Sequence, residues 1–160
     1  MNKKYLTIFV VILTAHLLGF CKNSNEANSN ITNSNASKPK NLVSIVEIPV
    51  SDLKRATQFY QKLLDVKIEE ISMDGVQMGI FPTEEGAVNV TLSKGADYKP
   101  TSSGSILYFN CGEDLNGVLE KVEPNGGKII LRKTPISPEM GFFALFTDTE
   151  GNKLGLHSQK

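Results

Sequence analysis

At 160 residues the chain has room for one ordinary domain of about 100 to 150 residues plus a leader, but not for a second independent core. Acidic and basic residues balance at 17 each, so no net field draws the protein to nucleic acid or to an acidic surface. The two cysteines, Cys21 and Cys111, stand in regions of different character, which argues against a disulfide framework.

Lys3 and Lys4 precede an apolar stretch over residues 5–20, broken by Thr14 and His16, in the pattern of an export signal: a charged head and a short apolar run. The run is too short for a spanning helix, which needs about 20 apolar residues. Its end, Leu18-Gly19-Phe20-Cys21, resembles the bacterial lipoprotein signal, with Phe20 where that signal carries a small residue. The resemblance implies cleavage before Cys21 and acylation of it, so residues 1–21 are expected to place the protein in the cell envelope, lipid-anchored to a membrane. An uncleaved anchor and an ordinary secretory signal are the other readings, and each still exports the domain. Residues 22–40 are almost all Asn, Ser, Lys and Ala, with too little apolar surface to offset the entropy of ordering, and read as a tether.

The globular domain is expected over residues 41–160. A β-branched run over residues 42–50 predicts a strand, with Ser51 placed to cap the helix that follows. Leu53, Ala56, Phe59, Tyr60, Leu63 and Leu64 recur at spacings of three and four, which gives that helix one buried stripe. Short strands follow over residues 67–72, 76–81 and 87–93, separated by the turn signals Asp74-Gly75 and Glu85-Gly86. The order then restarts: a strand over 105–111, a helix over 114–122 stopped at Pro124-Asn125-Gly126-Gly127, and strands over 128–133, 142–147 and 153–158. Asp52-Leu53 corresponds to Asp114-Leu115, and Phe81, Glu85, Gly86 and Ser93 recur with the same spacing as Phe146, Glu150, Gly151 and Ser158. The fold class expected is therefore α+β, two tandem βαβββ modules made by duplication.

Three segments in order, Val46-Glu47-Ile48-Pro49-Val50 with Asp52-Leu53 and Phe59-Tyr60, then Tyr108-Phe109 before Asp114-Leu115, then Phe146-Thr147-Asp148-Thr149-Glu150-Gly151-Asn152 before Leu154-Gly155-Leu156, resemble the glyoxalase-related branch of the vicinal oxygen chelate superfamily. That superfamily also holds bleomycin-resistance proteins and extradiol dioxygenases. The resemblance implies a cupped mixed sheet with helices on its outer face, and a concave face that holds a metal ion and a small substrate. It also implies that two chains can pair as a homodimer. The metal ligands it implies, His, Glu or Gln on the first and last strand of each module, fall here on Ile45, Ile106 and Gly155, none of which can ligate, and near Asn89 or Val90. No bound cofactor is therefore expected, and a divalent metal has little support.

Strand alternation places Glu47 on the face of Ile45, Tyr108 and Asn110 on that of Ile106, and His157 on that of Gly155. Glu47, Asn89, Tyr108, Asn110 and His157 are the candidate ligand-binding residues, with Glu47 and His157 as a carboxylate–histidine pair able to orient a ligand or move a proton. Against this, Glu47 can serve only nearby backbone or hydroxyl groups, His157 can lie at a frayed margin, and Tyr108 can simply fill the cup. Cys111 reads as a small core residue, and Asp148 and Asn152 as turn formers. Three functions follow: a tethered domain binding a small organic molecule without a metal; a divergent metal-dependent lyase or isomerase related to lactoylglutathione lyase; and a non-catalytic envelope lipoprotein that serves structure or a partner.

Overall fold

The computed structural model describes residues 41–160, so the leader, Cys21 and the tether expected from the sequence lie outside the described residues. The first module runs β1 (Ile45–Pro49), α1 (Leu53–Leu64), β2 (Glu69–Met73), β3 (Val76–Ile80) and β4 (Asn89–Lys94); the second runs β5 (Tyr108–Asn110), α2 (Asn116–Leu119), a 3-10 turn (Glu123–Asn125), β6 (Lys128–Ser137), β7 (Gly141–Thr147) and β8 (Lys153–Ser158). Each module forms its own four-stranded sheet, in the order β1-β4-β3-β2 and β5-β8-β7-β6. In both, the first strand lies parallel to the last, a pairing that needs a crossover, and the remaining pairs are antiparallel.

The duplication is visible in matching places. Gly86 and Gly151 both take positive φ in the connection between third and fourth strands, and Ser93 and Ser158 are both fully buried on the fourth strand. Asp74 and Gly75 both adopt positive φ, which turns β2 into β3 in two residues.

Helix α1 buries the expected stripe, with Thr57 in addition. Its cap differs from expectation: Asp52, not Ser51, accepts from the Arg55 amide, because the Ser51 hydroxyl is drawn into a bond to Glu150. The second helix also differs, shrinking to a single turn. Gly117 weakens it, and the Asp114 carboxylate satisfies the Asn116 amide in a local turn instead. Strand β6 is longer than expected and bulged, so that Ile136 falls within it.

One core serves both modules. Phe59 and Tyr60 from α1 meet Phe146 and Phe109 of the second module, with ring centroids 6.2 and 5.8 Å apart. Ile48, Leu92 and Gly79 register across the first sheet on the face that α1 covers. Glu47, Thr91 and Ile80 therefore occupy the opposite face, which is where a ligand can reach.

Candidate functional site

The parallel register sets Ile45 beside Asn89, Glu47 beside Thr91 and Pro49 beside Ser93. Asn89 thus shares a face with Ile45, as does Glu47. The Ser93 and Tyr98 hydroxyls both donate to Glu47 Oε1, at 3.1 and 2.8 Å. A carboxylate only accepts, so Ser93 gives its proton to Glu47 and accepts from Thr91, whose hydroxyl lies 3.2 Å away. This ladder of hydroxyls satisfies the buried Thr91 and Ser93 and fixes Glu47. Donation to Glu47, burial and the nearby negative charge together raise the Tyr98 pKa.

His157 does not pair with Glu47, contrary to the expectation. Its Nε2 lies 2.7 Å from the Met140 carbonyl, a group presented by the β6–β7 hairpin. A carbonyl only accepts, so Nε2 carries the proton and Nδ1 of the neutral ring is the acceptor. The hairpin presses closely on β8 at this point: a β-carbon on Gly141, whose φ is +70°, would fall 2.2 Å from the Ser158 carbonyl oxygen.

Tyr108 and His157 line one cavity of about 460 Å³, completed by Ile136, Met140 and Phe143. Register explains the grouping, since β8 sets Gly155 beside Tyr108 and His157 beside Phe143. The Tyr108 and Phe143 rings meet edge to face with centroids 6.3 Å apart. Tyr108, Ile136 and Met140 are exposed, a cluster of apolar side chains without cover on one face. Asn110, although registered with His157, spends its side-chain oxygen on the Gly112 amide at 2.9 Å. Five candidate residues thus separate: Tyr108 and His157 come together, Glu47 and Asn89 lie on the other sheet, and Asn110 holds a turn.

Asp148 and Glu150 form a clamp between modules. Asp148 is buried and accepts from Tyr60 Oη at 2.7 Å, and from the Glu150 and Asn152 amides and Asn152 Nδ2. Glu150 accepts from Arg55 Nε and Nη2, from the Ser51 hydroxyl, and from the Ser51 and Asp52 amides at the start of α1. Burial pushes the Glu150 pKa upward, but these donors outweigh it and hold the carboxyl at about 2. Asn152 completes the clamp by donating to the Pro49 carbonyl and accepting from the Thr101 amide. Cys111 packs half-buried against the core, and burial raises its thiol pKa.

The positions where metal ligands would fall do not suit a divalent ion. Ile45 and Ile106 offer hydrocarbon, and Asn89 offers a single amide oxygen. At Gly155 the available space is taken: a β-carbon there would lie 2.2 Å from Tyr108 Cδ1, so the tyrosine ring stands where a ligating side chain would grow. Among the described residues no group of three His, Cys, Asp or Glu side chains is placed to hold a metal.

The family profile described as the glyoxalase/bleomycin resistance protein/dioxygenase superfamily matches residues 42–156. The chain belongs to this superfamily. A glyoxylase-like domain-containing protein of Didymella fabae is 29% identical over 113 residues, which is 69% of this chain and 88% of that one. Superfamily architecture recurs in solved structures. The glyoxalase/bleomycin resistance protein of Albidiferax ferrireducens superposes with a TM-score of 0.61 at 17% identity, over 75% of this chain and all of that one. Glyoxalase I of Zea mays gives 0.56 at 21% identity over 72% of this chain, which spans only 45% of the maize enzyme. At such identities the superpositions establish the fold alone.

Sequence reasoning missed Phe143, Ile136 and Tyr98. Phe143 lies opposite His157 across β7 and β8, so strand pairing was the signal that could have found it. Tyr98 sits in a loop with no periodicity, and nothing local pointed to it.

Proposed function

We propose that this protein is an exported, lipid-anchored domain of the superfamily that binds a small, largely apolar organic molecule at the Tyr108–His157 cavity, without a bound metal. The observation that carries this reading is the cavity itself. Its volume of about 460 Å³ lies in the range usual for small-molecule sites, roughly 300–1,000 Å³. Aromatic and aliphatic walls would supply the binding energy, and two polar groups would set orientation: the Tyr108 hydroxyl and His157 Nδ1. An apolar ring bearing one hydrogen-bond donor, such as a phenol or an indole, meets both requirements.

Absence of ligating atoms at Ile45, Ile106 and Gly155, together with the Tyr108 ring over Gly155, supports a site that works without a metal. A cavity of this size favours binding over a purely structural envelope role. Export and anchoring rest on Lys3, Lys4, the apolar run over residues 5–20 and Cys21.

Thermal unfolding of the full chain tests the metal-free claim, measured after chelator treatment and again with Mn²⁺, Fe²⁺, Ni²⁺ or Zn²⁺ added singly. A ligand of the folded form raises stability by mass action. The proposal expects no shift with any of the four. A stabilisation by one metal that Glu47→Ala abolishes would replace it with the lyase or isomerase reading.

A further inference from the structure

His157 lines its cavity with no carboxylate beside it, since the other lining residues are Tyr108, Ile136, Met140 and Phe143. It makes no ion pair among the described residues. Its Nε2 gives a proton to the Met140 carbonyl, which can only accept. Nε2 therefore keeps that proton whether the ring is neutral or charged, and a second proton adds at Nδ1 without turning the ring. The close packing of Gly141 on Ser158 holds the hairpin in place, and the carbonyl with it.

Histidine is the side chain that gains a proton between about pH 8 and pH 5. The charged and titratable groups on the elements around His157 do not change charge in that range. Lys128, Arg132 and Lys133 on β6 and Lys153 on β8 are cations throughout. Glu139 of the hairpin is held ionised by the Ser137 hydroxyl, Lys160 pairs with Glu113, and burial keeps Cys111 a thiol. Strand β7 brings no titratable side chain.

The neutral ring accepts, whereas the charged ring only donates and puts a full positive charge in a wall that is otherwise mostly hydrocarbon. Resting on the ligand reading of this cavity, we infer that His157 switches the class of ligand it takes: uncharged aromatic hydrogen-bond donors when the ring is neutral, aromatic carboxylates when it is protonated. An aromatic carboxylate covers Phe143 and Ile136 with its ring and supplies the counter-charge that the cavity lacks. A charge-assisted hydrogen bond to it is stronger than a neutral one.

Calorimetric titration of the full chain with indole and with benzoate, at intervals from about pH 8 to pH 5, tests the inference. Indole is a donor only, benzoate accepts only, and neither changes its predominant charge over this range. Indole is expected to weaken by about tenfold on acidification and benzoate to tighten by about tenfold, so that their order of affinity inverts. His157→Gln, whose amide can still donate to the Met140 carbonyl but never gains a charge, should remove both slopes. The opposite slopes of the parent decide the question without the variant. Indole bound equally at both ends of the range, or benzoate no tighter at pH 5 than at pH 8, would overturn the switch and leave the ligand site standing. Binding of neither at any pH would overturn the ligand site and the switch together.

Discussion

The ring of Tyr108 lies across Gly155, so close that a β-carbon on Gly155 would fall 2.2 Å from Tyr108 Cδ1 and 2.3 Å from Cε1. The parallel register of β5 and β8 makes these two residues neighbours. One contact thus explains two features: why the last-strand position carries no side chain, and how the cavity acquires its aromatic wall. Gly155→Ala is expected to destabilise the protein by roughly 1–3 kcal/mol, because the new methyl overpacks against the ring. The same substitution in a Tyr108→Ala background should cost much less, a coupling that a double-mutant cycle measures by chemical unfolding. Equal costs in both backgrounds would show that the ring is not the obstacle.

The Glu150 carboxyl, held at about 2 in the folded protein, gives a pH signature. Its ordinary value is about 4.3, so the folded-state value is depressed. Its contribution is then fully present above about pH 4.3 and is lost as pH falls toward about 2. Glu150→Gln should lower stability at pH 7 by about 1.5–3 kcal/mol, the worth of hydrogen bonds to a charged group. Over the acid window its stability should fall less steeply than that of the parent. Unfolding midpoints measured from pH 7 to pH 2 check both statements.

Tyr60 is fully buried and gives its hydroxyl proton to Asp148. Burial, the Asp148 charge and this bond all raise the Tyr60 pKa well above its ordinary value. Tyr60→Phe removes one donor from a buried carboxylate that keeps its three others, and a loss of about 1–3 kcal/mol is expected by denaturant titration. The phenylalanine ring keeps its place beside Phe59 and Phe109, so the slope of the transition should not change.

The lipid-anchor proposal makes a separate prediction. In a bacterial host, the full chain should incorporate labelled palmitate and partition into detergent, and Cys21→Ser should abolish both. Export without label would favour an ordinary secretory signal.

Much of the fold was legible because its signals are local. The three-and-four spacing from Leu53 to Leu63 marks α1, Asp74-Gly75 marks a tight turn, and Glu85-Gly86 recurring as Glu150-Gly151 marks the duplication. Site contacts were less legible because they are long-range or involve backbone. Glu47 is satisfied by Ser93 and Tyr98, some 46 and 51 residues away in sequence, and His157 is held by a carbonyl, which carries no residue-type signal. Asp148 and Asn152 were readable as turn formers, but their bonds to Tyr60, Pro49 and Thr101 depend on how the two modules meet. Ser51 was misjudged as the cap for the same reason, since its competitor for the helix start, Glu150, comes from the other module.

The central claim is that the concave face takes an organic ligand through Tyr108, Phe143, Met140 and His157 rather than through a metal. Its most direct test is a titration of the methyl-labelled full chain with phenol and with indole in the presence of chelator, following the Met140 and Ile136 methyl resonances by NMR. The account predicts a saturable shift at both methyls with chelator present, strongly reduced in Phe143→Ala. Methyl resonances that stay still until a divalent metal is supplied would contradict it.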